Sequence, residues 1–255
     1  MPSLSNTLLA LAASAPAVLG HGHVRRVIVD GVTYPGFERW SNEDQSQAVT
    51  WHFTTEDEGP VPVSSLNTPD IICHLGATNA QASIPVAAGS QLQVVRFNTI
   101  GGFEHPGPEM HYLAPCGDAG CANVDKNDLR FFKFYESGLV QPEGFVDTFT
   151  VTIPQNIRPG SYVLRHEILG LHKAHEGEAE FYPQCINLEI SGSGDQLPEG
   201  VPATEMYHSS DPGVALDIWV DLQSYQIPGP AVTNLSFKRD TTARAAKRHP
   251  RDLKH

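Results

Sequence analysis

The chain has 255 residues, with 17 Lys/Arg against 29 Asp/Glu, a formal net charge of −12, 20 prolines and 22 glycines. The acidic balance argues against nucleic acid or an anionic membrane surface as a partner. The Pro/Gly content, with few long amphipathic runs, argues against a helical bundle and for strands joined by long loops.

Met1–Gly20 carries no charged side chain, and Leu8–Val18 is an Ala/Leu-rich core followed by small residues. This predicts a secretory signal peptide over 1–20, the competing reading being a buried N-terminal helix. A cut after Gly20 would leave His21 as the first residue of a secreted, extracellular protein. HVRRVIVDGVTYPGF follows, a β-rich run with a hairpin signal at Asp30-Gly31. The polar, proline-containing stretch from Glu38 to Asp70 reads as a long surface excursion. ASIPVAAGSQLQVVRFNT, EMHYLAPC, LRFFKFYESGL and FYPQCINLEISGSG read as strands. FVDTFTVTI and SYVLRHEILGL read as a strand pair turned at NIRPG. The prediction is one all-β domain over 21–237, an antiparallel β-sandwich of immunoglobulin/fibronectin type. The tail 238–255 holds seven Lys/Arg and two Asp/Glu, leaving the body at −17, and is predicted to be disordered.

Four cysteines in a secreted chain predict two disulfides, and spacing alone leaves three connectivities open. Cys116 and Cys121 enclose only GDAG and read as a local clip, which leaves Cys73 with Cys185. Asn234-Leu235-Ser236 is a single N-x-S/T sequon and a candidate glycan site.

Twelve histidines are many for this length. His52, His74 and His208 sit in polar loops and read as solvated. His111 and His166 lie in strand-like runs and read as satisfied strand histidines, and His23 alternates away from His21. Two others stand apart. A mature N-terminal His21 would offer its amino group and Nδ1 to one metal, and a third imidazole would complete a nitrogen set suited to copper. His105 precedes Pro106-Gly107-Pro108, a turn whose fixed backbone would preorganise a ligand. There is no HExxH run for a zinc hydrolase. Nor do two carboxylates stand in a recognisable pair for hydrolytic cleavage of a glycosidic bond.

HGHV after the leader, YPGF, SLNTPDIICHLGAT, HPGPEMHYLAPC, FFKFYESGL, LRHEILGLHKA, EFYPQCINLEISGSG and SYQIPGP occur in the order and spacing of one family. The chain resembles the fungal cellulose-active lytic polysaccharide monooxygenases, once classed as glycoside hydrolases, from His21 to about Pro230. The resemblance implies one copper held on a flat face by His21, through its amino group and Nδ1, and by His105 Nε2, with Tyr182 axial. It implies His172 as a hydrogen-bonding neighbour of the metal, Tyr225 as a surface aromatic that stacks on glucose rings, and the pairings Cys73–Cys185 and Cys116–Cys121. Tyr34 and Trp40 could extend the aromatic platform or pack in the core.

The expected partners are crystalline cellulose or a related β-glucan, O2 or H2O2, and a small reductant or cellobiose dehydrogenase. The expected state is monomeric. Three departures stand out: Glu180 where the family has glutamine, Glu109 where it has an apolar residue, and Phe131 where it has tryptophan. An ionised carboxylate accepts but cannot donate a hydrogen bond, so Glu180 must be protonated, act through water, or be held by a partner such as His172. The alternative function is a non-catalytic copper- or polysaccharide-binding protein on the same scaffold.

Overall fold

The computed structural model describes residues 21–55, 57–98, 105–140 and 148–235. The proposed signal peptide and basic tail lie outside the described residues. β1 (Gly22–Val29) and β2 (Val32–Pro35) form the expected hairpin, with both turn residues at positive φ, Asp30 at 49° and Gly31 at 79°. Such a turn matches the right-handed twist of its two strands. β3 (Val61–Pro62), β4 (Ile84–Ala87), β5 (Gln91–Asn98), β6 (Gly107–Pro115), β7 (Phe132–Val140), β8 (Thr148–Thr152), β9 (Gly160–Gly170) and β10 (Glu180–Ser191) complete the set.

Two sheets face one another. One has the order β2-β1-β5-β8; the other runs β3-β10-β9-β6-β7, with β4 added parallel to the far end of β10. Alternating apolar side chains of both sheets, among them Val24, Val27, Leu92, Val94, Val151, Leu164, Ile186 and Leu188, fill the space between them. The outer face of the larger sheet is covered by loops, through Trp51, Ile71, Tyr112, Phe131, Phe181 and Tyr207. Cys73–Cys185 ties the short helical turn Asp70–Cys73 to β10, and Cys116–Cys121 closes the loop after β6. Among the described residues, no helix is long and apolar enough to cross a membrane.

Three expectations are corrected. β8 and β9 are not paired: β8 bonds β5 and β9 bonds β6 and β10, so Ile153–Gly160 is a crossing between sheets. Both strands look apolar on one face because both face the same inter-sheet core, Val151 from one side and Leu164 from the other. The Glu38–Asp70 stretch is not wholly on the surface. Ala48–Trp51 is buried and threads along β10, where the Trp51 amide donates to the Cys185 carbonyl and its indole N–H to Asn187 Oδ1 (2.7 Å). Finally, His74 is buried rather than solvated.

Candidate metal centre

The HPGP turn enters β6 at one end of the larger sheet. The Leu171 amide donates to the Pro106 carbonyl (2.8 Å), which pins the turn against the end of β9. There the His105 side chain packs close against Gly170; a Cβ on that glycine would meet His105 Cδ2 at 2.9 Å. A side chain at position 170 would therefore occupy the space the imidazole needs. Glu180 opens β10 and Tyr182 follows two residues on, so both side chains leave the strand on the same face.

The groups converge. The Tyr182 hydroxyl donates to Glu180 Oε2 (2.7 Å), and His105 Nε2 stands 3.1 Å from that hydroxyl and 3.0 Å from the same carboxylate oxygen. His172 approaches from the loop after β9, its Nε2 3.5 Å from Glu180 Oε1 and its ring 4.6 Å from that of His105. One ligand atom each from His105, His172 and Glu180 lies within 4.8 Å of the others. His105 and Tyr182 are buried, while the side chains of Glu180 and His172 keep 13% and 18% exposure, so the cluster has a solvent side.

The charges follow from this packing. Burial opposes ionisation of Glu180, but hydrogen bonds from His105 and Tyr182 and the two imidazoles outweigh it and hold the carboxyl down at about 2. Glu180 is therefore a carboxylate held by partners, the third of the options its sequence position left open. Burial and the adjacent Glu180 push the Tyr182 hydroxyl up, so it stays a neutral donor. Burial lowers His172 toward its neutral form, against the pull of Glu180.

His21 begins at the same corner. Its neighbour Gly22 accepts from the Arg96 guanidinium (3.0 Å), and Arg96 lies 5.9 Å from the Tyr182 ring centroid. His21 Nδ1 stands 3.0 Å from the Asp57 carbonyl and 3.6 Å from its carboxylate, a charge close enough to act on Tyr182. His23, which alternates away from His21, is buried between Glu58 (3.0 Å) and Glu38 (3.1 Å). A set of imidazole nitrogens with phenol and carboxylate oxygens is one that copper accepts. Neutral imidazole and deprotonated carboxylate are the states in which these groups bind a metal.

The aromatic residues divide between the core and the surface. Tyr225 packs against the loop-covered core, and its hydroxyl donates to the Gly213 carbonyl (3.0 Å). Tyr34 packs partly into the inter-sheet core. Trp40 is 66% exposed with Arg39 over its ring. Trp219, which the sequence analysis passed over, is 63% exposed, and its indole N–H donates to the His172 carbonyl (3.0 Å). A tryptophan within a polar loop just before SYQIPGP was the available signal. Asn234 is exposed.

Residues 21–226 match the model of Auxiliary Activity family 9, formerly GH61. The chain is 43% identical to lytic polysaccharide monooxygenase D of Podospora anserina, over 91% of this chain and 72% of that protein. It is 40% identical to monooxygenase A of Thermoascus aurantiacus, over 82% of this chain and 98% of that one. The solved extended catalytic domain of H. jecorina LPMO9A superposes with a TM-score of 0.78 at 38% identity, covering 84% and 91% of the two chains. The chain belongs to Auxiliary Activity family 9, the copper-dependent lytic polysaccharide monooxygenases.

Proposed function

We propose that the 21–237 domain, freed of residues 1–20 and secreted, carries one copper and cleaves crystalline cellulose or a related β-glucan oxidatively, with O2 or H2O2 and an external electron donor. His21 would bind through its new amino group and Nδ1, exchanging the Asp57 carbonyl for the metal. His105 Nε2 and the Tyr182 hydroxyl would help to hold the metal from the sheet side. The observation that carries this reading is the meeting of His105 Nε2, the Tyr182 hydroxyl and the Glu180 carboxylate within about 3 Å of one another. When bound, copper supplies one-electron chemistry with oxygen that the side chains alone lack. The protein's own groups position and hold protons. Tyr182 holds the proton of its raised hydroxyl against Glu180, His105 is seated on Gly170, and His172 shares Glu180 from the solvent side. Trp219, fixed to the backbone of His172, offers an exposed aromatic face for a glucose ring beside the centre, and Trp40 a further one. Tyr225 and Tyr34 would shape that surface from beneath. A glycan on Asn234 fits its exposure.

One observation favours the alternative of a copper- or polysaccharide-binding protein without turnover: Glu180 is held as a carboxylate, which can accept but not donate a hydrogen bond beside the centre. The deciding experiment combines N-terminal mass spectrometry, copper quantification and ascorbate-driven product release on the secreted protein. A mature terminus at His21, one copper per chain and oxidised cello-oligosaccharides are expected. Copper without oxidised product from any glucan would leave the binding role, and a terminus elsewhere than His21 would end the copper assignment.

A further inference from the structure

One row of residues inward from Tyr182, a second group of metal-ligating side chains crosses the larger sheet. Tyr182, Ile168 and Glu109 are cross-strand neighbours on β10, β9 and β6. Two residues further along the same face, Gln184, His166, His111 and Tyr135 form the next row, across β10, β9, β6 and β7. Glu109 Oε1 stands 2.7 Å from His111 Nε2 and 3.9 Å from His166 Nδ1. One ligand atom from each of the three lies within 4.8 Å of the others. None of the three is part of the centre at His105.

His166 and His111 are fully buried, and neither ring nitrogen of His166 has a hydrogen-bond partner; nor does His111 Nδ1. Buried polar atoms without a partner are uncommon in folded proteins. A Glu109–His111 hydrogen bond alone accounts for one nitrogen of four. A cation shared with Glu109 would take one lone pair from each ring, at His111 Nε2 and His166 Nδ1, the two nitrogens that face the carboxylate. We propose that Glu109, His111 and His166 form a second site, for a divalent transition-metal ion of the zinc–copper class.

Two imidazoles and a carboxylate are a recurrent ligand set for such ions, commonly completed by water. Ligand atoms on a tetrahedral ion with bonds of about 2.0 Å stand about 3.3 Å apart, so the observed 2.7 Å and 3.9 Å need only small side-chain shifts. Burial, with His111 and Arg96 nearby, keeps His166 in its neutral, ligand-competent form. Apolar rings wall the site, Phe149 5.0 Å from His166 and Tyr135 stacked 4.8 Å over His111. The 14% exposure of the Glu109 side chain gives an entry side. The nearby Arg96 charge works against a cation there and sets its affinity below that of a dedicated copper site.

The test uses the mature, full protein, loaded with one equivalent of Cu2+, freed of excess and titrated with Zn2+. Both metals are counted in the same sample by mass spectrometry. Wild type should retain one zinc beside its copper. Glu109→Gln, which is isosteric, should lower zinc affinity more than about tenfold without changing copper content, and His111→Asn should do the same. No zinc on the copper-loaded wild type, or zinc bound equally by wild type and Glu109→Gln, would overturn the proposal. Because wild-type stoichiometry and Glu109→Gln decide between them, a misfolded His111→Asn protein changes neither conclusion. A failure of the centre at His105 shows separately, as missing copper.

Discussion

The two faces of the β9–β10 ladder carry polar groups with opposite fates. On the loop-covered face, Arg165 and Glu167 are both fully buried. The guanidinium meets both carboxylate oxygens (2.6 and 2.7 Å) and the carbonyls of Ile71 and Ile72 (2.9 Å each). The Tyr207 hydroxyl donates to Glu167, and the Tyr112 hydroxyl closes the chain 2.6 Å from it. On the other face, Glu180 also receives tyrosine and imidazole donors, but its cluster sits at the sheet end with a solvent side. A closed, saturated network keeps charge harmless in the core. An open one leaves ligand atoms that a metal can take over. The difference lies in satisfaction and access, since the residue types are nearly the same.

Breaking the closed network should have the largest effect. Glu167→Ala leaves the Arg165 charge buried without its carboxylate, with an expected loss of about 3–5 kcal/mol in denaturant unfolding. An unchanged midpoint would mean that the network is not the structural one. Gly170→Ala tests the open side: the added methyl pushes the His105 ring, and calorimetric copper affinity should fall about 10–100-fold while the unfolding midpoint moves little.

Acid sharpens the comparison further. Burial, with Arg96 and His23 adding to it, holds His74 neutral and brings it down to about 3 from 6.5. The unfolded chain therefore binds the proton first. Stability should fall as pH drops from about 6.5 toward 3, by up to about 1.4 kcal/mol per pH unit. His74→Asn should flatten that slope in thermal melts across the window; an unchanged slope would sink the assignment.

The smallest effect belongs to Glu180→Gln. The depressed carboxylate contributes stability above about 4.5 that is lost as pH falls toward about 2. Solvent screening at this partly open site reduces the contribution to about 1 kcal/mol. The variant should therefore move unfolding little near neutrality yet shift the pH profile of product release. A profile identical to wild type would remove Glu180 from the chemistry.

Much of this was legible in the sequence because the signals are local. Asp30-Gly31 demanded its hairpin, the strand alternation demanded a sandwich, the cysteine spacings pointed to the two disulfides, and HPGP and FYPQC marked His105 and Tyr182, which meet in the fold. What failed to show was partnership over distance. β8 and β9 read as a pair since both alternate, yet an alternating strand does not reveal which sheet it joins. His74 looked solvated in its polar loop, because burial depends on what packs above a residue and not on its neighbours in the chain.

The sequence by itself determined the all-β class, the disulfide candidates, the family and the candidate copper ligands that the family resemblance names, since each rests on residue type and short-range order. Only the tertiary structure decided that Glu180 is ionised and held by His105, Tyr182 and His172, that Trp219 stands beside them, and that His166 lies buried without a hydrogen-bond partner next to Glu109 and His111. Those facts are distances and desolvation across strands far apart in the chain. Only folding brings such groups together and takes the water from between them.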